Sequence, residues 1–174
     1  MRLETLHSDD PRDVLRALRG AVLGAGPAIA FGLPIEGVDA AGHPVTSEAP
    51  AGTAVVVTTS GSSGVPKSVV LSRSALTSSA LSTAARIGEG AWLLALPASY
   101  VAGLQVLVRS LVQGHEPAIL SGRFTAEAFA AAALGMASSV GGERVPSYTS
   151  LVPAQLATLL DAANMDPTVI NGGI

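Results

Sequence analysis

Five hydroxyl side chains crowd into six consecutive positions, Thr58, Thr59, Ser60, Ser62 and Ser63, with Gly61 and Gly64 set among them. Glycine tolerates positive φ and lets a ligand approach the backbone closely, while each hydroxyl both donates and accepts hydrogen bonds. Lys67 adds a cation at the far edge of the segment and Pro66 stiffens the approach to it. Together these residues offer an anion a cradle and a counter-charge. The phosphate-loop pattern GxxxxGK[ST] is excluded, because proline and not glycine precedes Lys67. A Ser/Gly-rich tract behind a strand is most often a plain turn, but the ordered Pro-Lys ending favours the anion reading.

The elements that would position this segment follow from the pattern around it. The apolar run 53–57 reads as a buried strand ending in a loop over residues 58–68, and residues 68–71 read as a second short strand. Asp10, Pro11 and Asp13 are suited to open a helix over 11–23, whose apolar positions Val14, Leu15, Leu18 and Val22 recur at helical spacing. A buried strand is expected at 28–33, followed by a Gly/Pro-rich connection over 34–52. Beyond the central segment, Ser72 caps a helix at 73–87. Strands at 91–96, 117–120, 148–152 and 168–170 then alternate with helices at 101–113, from Thr125 to 134, and from Pro153 onward. Strand–helix alternation of this kind predicts an α/β fold with a largely parallel sheet flanked by helices, its ligand loops at the carboxyl ends of the strands.

Composition narrows the functional classes. The 174 residues suit one domain; 48% are hydrophobic, only 13% are charged, and the net charge is −3. No basic cluster exists to neutralise a phosphate backbone, so nucleic acid is not an expected partner. There is no cysteine, which permits a reducing cytoplasm and excludes disulfides and Cys-based zinc sites. His7, His43 and His115 lack any metal-ligand spacing, so no metal site is expected. Glu36, Asp39 and Glu48 are scattered through a polar connection, where acids are usually solvated and not catalytic. The N-terminus carries acids where a signal peptide would be apolar, and the uncharged run 91–108 is broken by Pro97, Ser99, Tyr100, Gly103 and Gln105. A cytoplasmic protein with no membrane span is the expectation.

Residues 59–67, TSGSSGVPK, resemble the phosphate-loop signature TSG[ST]TGxPKG of the adenylate-forming acyl-CoA synthetases. Ser63 replaces the family's threonine and keeps the hydroxyl; Ser68 replaces its glycine. Residues 96–114, LPASYVAGLQVLVRSLVQG, resemble the family's PxxHxxGL stretch, with Tyr100 where the histidine stands. This stretch and residues 148–160, YTSLVPAQLATLL, are especially similar to the o-succinylbenzoate-CoA ligases of menaquinone biosynthesis, and the three matches keep one register from residue 53 to 160.

The resemblance implies a two-step reaction. A carboxylate attacks the α-phosphorus of ATP to form an acyl-adenylate and pyrophosphate, and the thiol of coenzyme A then displaces AMP. It implies that Thr59, Ser60, Gly61, Ser62, Ser63, Gly64 and Lys67 hold the ATP phosphates with Mg2+ nearby, and that Gly172 and Gly173 begin an adenine-binding segment. Ser99 and Tyr100 would lie at the acyl site. Gln105 and Arg109 are one helical turn apart, so a guanidinium fork could take a substrate carboxylate, although a lone arginine on a helix is more often part of a solvated stripe. No C-terminal lysine assisting adenylation has a counterpart here, so no catalytic residue is assigned. The resemblance implies that residues 1–174 form an incomplete N-terminal AMP-binding domain without the C-terminal lid domain, with little ligase activity by itself. Alternatives stay open: another acyl- or aryl-CoA synthetase, a non-catalytic nucleotide-binding module, and pairing of two copies to complete the sheet.

Overall fold

A computed structural model describes residues 1–32, 48–60, 66–136, 139–140, 143–166 and 168. Two sheets are separated by a layer of helices. In the first, β1 (Leu3–Thr5), β2 (Ala28–Phe31) and β3 (Thr53–Ser60) run parallel, and β4 (Pro66–Ser72) closes the edge antiparallel to β3. The second sheet is parallel throughout, in the order β6 (Ala118–Ile119), β5 (Ala91–Leu94), β9 (Ser147–Thr149). A small antiparallel pair, β7 (Ser139–Val140) and β8 (Glu143–Arg144), precedes β9.

The helices α1 (Pro11–Leu23), α2 (Arg73–Ile87) and α3 (Val101–Gln113) carry the first core, and α4 (Ala126–Leu134) and α5 (Pro153–Met165) lie on the other face of the second sheet. Strand periodicity explains the division: in β5, Trp92 and Leu94 face the first core, while Leu93 belongs to the second with Ala126, Phe129 and Leu159. A strand flanked on both faces has to be apolar throughout, and all four residues of β5 are buried. The α/β expectation is met, with four parallel strand pairings and helices on both faces of the second sheet.

Local chemistry sets the helix ends. The Asp10 carboxylate accepts from the Arg12 backbone N–H at 2.8 Å, and Thr125 Oγ1 accepts from Ala128 N–H at 3.1 Å. Ser72 Oγ accepts from Ala75 N–H at 3.1 Å, so Ser72→Ala is expected to cost about 1 kcal/mol, read as a lower denaturant midpoint with an unchanged slope. A midpoint equal to the parent's would show that this cap contributes nothing. At the other end of α1, Arg73 donates through Nε to Ala21 O at 2.6 Å, satisfying a last-turn carbonyl, and through Nη2 to Gly26 O, just beyond the helix, at 3.2 Å.

Several boundaries move. The loop read over residues 58–68 is largely hairpin: Thr58, Thr59 and Ser60 continue β3, and Lys67 and Ser68 lie in β4, because cross-strand pairing extends the ladder beyond the apolar run. The strands read at 91–96, 117–120 and 148–152 contract to Ala91–Leu94, Ala118–Ile119 and Ser147–Thr149. β1 went unread, since three half-buried residues carry too little pattern and are held by pairing with β2. The acids Glu36 and Asp39 and His43 lie outside the described residues. So does the expected strand at 168–170, apart from Thr168, whose N–H and hydroxyl both donate to Asp166 Oδ1, at 2.9 and 2.6 Å.

Candidate functional site

Three groups of residues singled out from the sequence gather around the strands. The first is the β3–β4 hairpin. Its register sets Thr58 opposite Ser68, Thr59 opposite Lys67 and Ser60 opposite Pro66, which brings the lysine to the level of the hydroxyl-bearing end of β3. Lys67 is exposed. Gly61, Ser62, Ser63 and Gly64 lie outside the described residues, as do Gly172 and Gly173. Thr58 Oγ1 is buried without a hydrogen-bond partner, and its side chain packs beside Gly32, where an added Cβ would stand 3.6 Å from Thr58 Cβ. The hairpin therefore rises from the carboxyl ends of β2 and β3, the end at which open α/β sheets receive ligands.

The second group is the connection from β5 to α3. Pro97 lies three residues beyond the strand, and Tyr100 takes the N-cap position of α3 with no side-chain cap; it is 68% exposed, its N–H donates to Pro97 O at 3.3 Å and its carbonyl accepts from Leu104 N–H at 2.8 Å. Ser99 is half-buried beside it. Gly103 lies so close beneath this connection that a Cβ there would stand 2.8 Å from the Pro97 carbonyl carbon and 3.1 Å from Leu96 O. The glycine of the PxxxxxGL stretch thus lets the first turn of α3 pack onto the backbone that presents Ser99 and Tyr100.

The third group is a polar stripe on α3, a helix otherwise buried nearly all round. The Arg109 guanidinium lies over the Trp92 ring, with Cζ 5.0 Å from its centroid, and Trp92 in turn packs against Tyr148 at 5.2 Å. Gln105 Oε1, Arg109 Nε and Trp92 Nε1 are buried with no hydrogen-bond partner. Burial lowers the Arg109 pKa from the ordinary arginine value, because desolvation disfavours the cation. Arg109 stands nine positions after Tyr100, about 13 Å along the helix axis. Gln105 lies between them and Arg109 lies deeper, alongside the middle of β5.

Two participants escaped the sequence reading. Gln113 continues the stripe by one more turn after Gln105 and Arg109; its Oε1 accepts from Gly90 N–H at 3.1 Å and its Nε2 is buried unpaired. The same i+4 spacing would have found it. Gln155 caps α5 by accepting from Val152 N–H at 3.1 Å and donates through Nε2 to Ala95 O at 2.7 Å, tying α5 to the carboxyl end of β5. Only the fold could reveal that second bond. Beside it opens a cavity of about 580 Å3, walled by Leu96, Pro97, Leu120, Phe124 and Gln155 and by the start of α1. Among the described residues, no group of three or more His, Cys, Asp and Glu is placed to hold a metal, and no helix is long and apolar enough to cross a membrane.

A parallel α/β core with a hydroxyl-rich hairpin at its strand ends belongs to the open α/β proteins, which receive ligands at the carboxyl ends of their strands. Residues 4–169 match the AMP-binding enzyme family, and the chain belongs to it. It is 43% identical over 129 residues to a probable 2-succinylbenzoate–CoA ligase of Mycobacterium tuberculosis, a match covering 69% of this chain and 32% of the relative. The chain thus spans about a third of the length of the curated relatives it matches. Among solved structures, the o-succinylbenzoate CoA synthetase of Bacillus subtilis bound to a product analogue shares its fold with a TM-score of 0.59 at 18% identity, over 98% of this chain and 49% of that one. The same enzyme in complex with its acyl-adenylate intermediate gives 0.54 at 24% identity, over 95% and 47%.

Proposed function

We propose that this chain supplies the phosphate- and acyl-binding portion of an ATP-dependent carboxylate–CoA ligase acting on 2-succinylbenzoate in menaquinone biosynthesis, in the cytoplasm. The reading rests above all on the 43% identity to the mycobacterial relative. In this scheme residues 1–174 correspond to the N-terminal part of the AMP-binding domain. A substrate carboxylate oxygen bonds to the α-phosphorus of ATP and pyrophosphate leaves with the bonding pair; the coenzyme A sulfur then attacks the acyl carbon, AMP leaves, and the thiol proton passes to solvent.

Thr59, Ser60, Gly61, Ser62, Ser63 and Gly64 surround the β- and γ-phosphates, with Lys67 as their counter-charge and Mg2+ carried in on the triphosphate. Ser99 and Tyr100 border the acyl group. Gln105 and Arg109 hold a substrate carboxylate; burial of a guanidinium with a free Nε–H favours an anionic partner. Gly172 and Gly173 meet the adenine.

Lys67→Ala is expected to weaken ATP binding by about 1.5–3 kcal/mol, the worth of a hydrogen bond to a charged group, as measured by calorimetry. An unchanged affinity would remove Lys67 from the site. Calorimetric titration with 2-succinylbenzoate and with other carboxylates tests the acyl side. Binding of 2-succinylbenzoate supports the proposal, tighter binding of a different acid points to another acyl- or aryl-CoA synthetase, and ATP binding with no carboxylate binding points to a binding module.

A further inference from the structure

A surface groove of about 440 Å3 runs along the outer side of α1. Arg12, Leu15, Arg16 and Arg19 form its helical wall, and Glu116, Pro117 and Ile119, at and just before β6, form the other. The sequence sets the charge of the helical wall. Val14, Leu18 and Val22 are turned into the core, which leaves the arginines at i, i+4 and i+7 together on the exposed side of the helix. Three of the ten basic residues of a chain with net charge −3 thus stand in one row.

The chain's own acids neutralise this row only in part. Arg16 Nη1 meets Asp13 Oδ1 at 3.0 Å and Arg19 Nη2 meets Glu116 Oε2 at 3.2 Å, but all four side chains are substantially exposed, and exposed ion pairs are held weakly. A guanidinium has five N–H donors, so one such contact leaves most of its fork open. The Arg12 side chain makes no ion pair among the described residues.

The length of the row selects among anions. From Arg12 to Arg19 the helix rises about 10 Å, too far for a single phosphate or carboxylate to span. A flat anionic surface would meet the rim and leave the apolar side of the groove uncovered. Linked carboxylates suit it better. Same-side residues of an extended peptide are about 7 Å apart, close to the roughly 6 and 4.5 Å rises between successive arginines, and flexible arginine stems absorb the difference. The alternate side chains of such a peptide face the opposite wall, where Pro117 is buried and Ile119 half-buried. Apolar residues fit there, and Glu116 disfavours a second row of acids.

We propose that this groove docks an extended acidic segment of a protein partner, its carboxylates on Arg12, Arg16 and Arg19 and its alternate apolar side chains against Pro117 and Ile119. The inference is independent of the ligase reading. Lys67 lies on β4, at one edge of the first sheet, and α1 follows β1, at the opposite edge.

Calorimetric titration of the 174-residue chain with a soluble nine-residue peptide that alternates glutamate and valine tests this, with the glutamine–valine peptide and phosphatidylglycerol vesicles as comparisons. The glutamate peptide is expected to bind with an affinity that falls as salt rises, and the glutamine peptide is expected not to bind. Arg12→Ala and Arg16→Ala should each raise the Kd about fivefold, whereas Arg86→Ala, which removes an exposed arginine on α2, should leave it unchanged. All three positions are exposed, so the variants are expected to keep the parent's circular dichroism and ATP affinity. No binding of the glutamate peptide, equal binding of the glutamine peptide, or an equal loss with Arg86→Ala overturns the proposal. Vesicle binding that is lost in Arg12→Ala while the peptide fails to bind also overturns it, and assigns the row to a membrane surface.

Discussion

Replacing Trp92 with alanine is expected to cost about 3–5 kcal/mol, the usual loss for truncating a buried tryptophan, out of a total that for a domain of this size is about 5–15 kcal/mol. Trp92 is 3% exposed in the central strand of the second sheet. Its ring is packed by Tyr148 on the neighbouring strand and by the Arg109 guanidinium on α3. Removing it opens a cavity where β5, β9 and α3 meet and takes away the face on which a half-buried cation rests. Trp92→Phe should cost distinctly less, because a ring remains and the buried indole N–H, which has no acceptor, is eliminated with it. Urea unfolding of both variants measures the difference. If Trp92→Ala loses less than about 1 kcal/mol, the strand–helix contact described here does not hold the second sheet.

Gly103→Ala is the second large effect, and it joins stability to function. A methyl group at that position meets the carbonyl carbon of Pro97 at 2.8 Å and Leu96 O at 3.1 Å, and both are backbone atoms that cannot rotate aside. Overpacking of this kind costs about 1–3 kcal/mol, although alanine favours a helix by about 1 kcal/mol over glycine. Relief comes only by moving α3 away from the connection that bears Ser99 and Tyr100. Binding of the carboxylate proposed to lie beside Ser99 and Tyr100 should therefore weaken by more than the lost stability explains, while the affinity for ATP is kept. A variant as stable as the parent and with the parent's affinity for the carboxylate would show that the close approach at Gly103 has no role.

The first half of α1 and the caps of α2 and α4 were legible because capping is local: Asp10, Ser72 and Thr125 each bond a backbone N–H two or three residues ahead. The glycine after α3 was legible for the same reason, since Gly114 sits in the left-handed region and closes the helix. Misreadings occurred where pairing with a distant strand decides the outcome. β1 exists because β2 lies beside it, and Thr58, Thr59 and Ser60 are strand because β4 folds back onto them. A one-dimensional pattern of hydroxyls and glycines reads as loop whether or not a partner strand is present.

What the sequence determined alone was chemistry and order: a hydroxyl-rich segment ending in lysine, an arginine and a glutamine one turn apart, and alternating strands and helices, all set by neighbours within a few residues. The tertiary structure decided which of these groups meet. It laid Arg109 on Trp92, joined Gln155 to Ala95 across sixty residues, and aligned Arg12 with the cavity at the ends of β5 and β6. Those encounters depend on how the two sheets stack on their shared helices, and no local propensity carries that information.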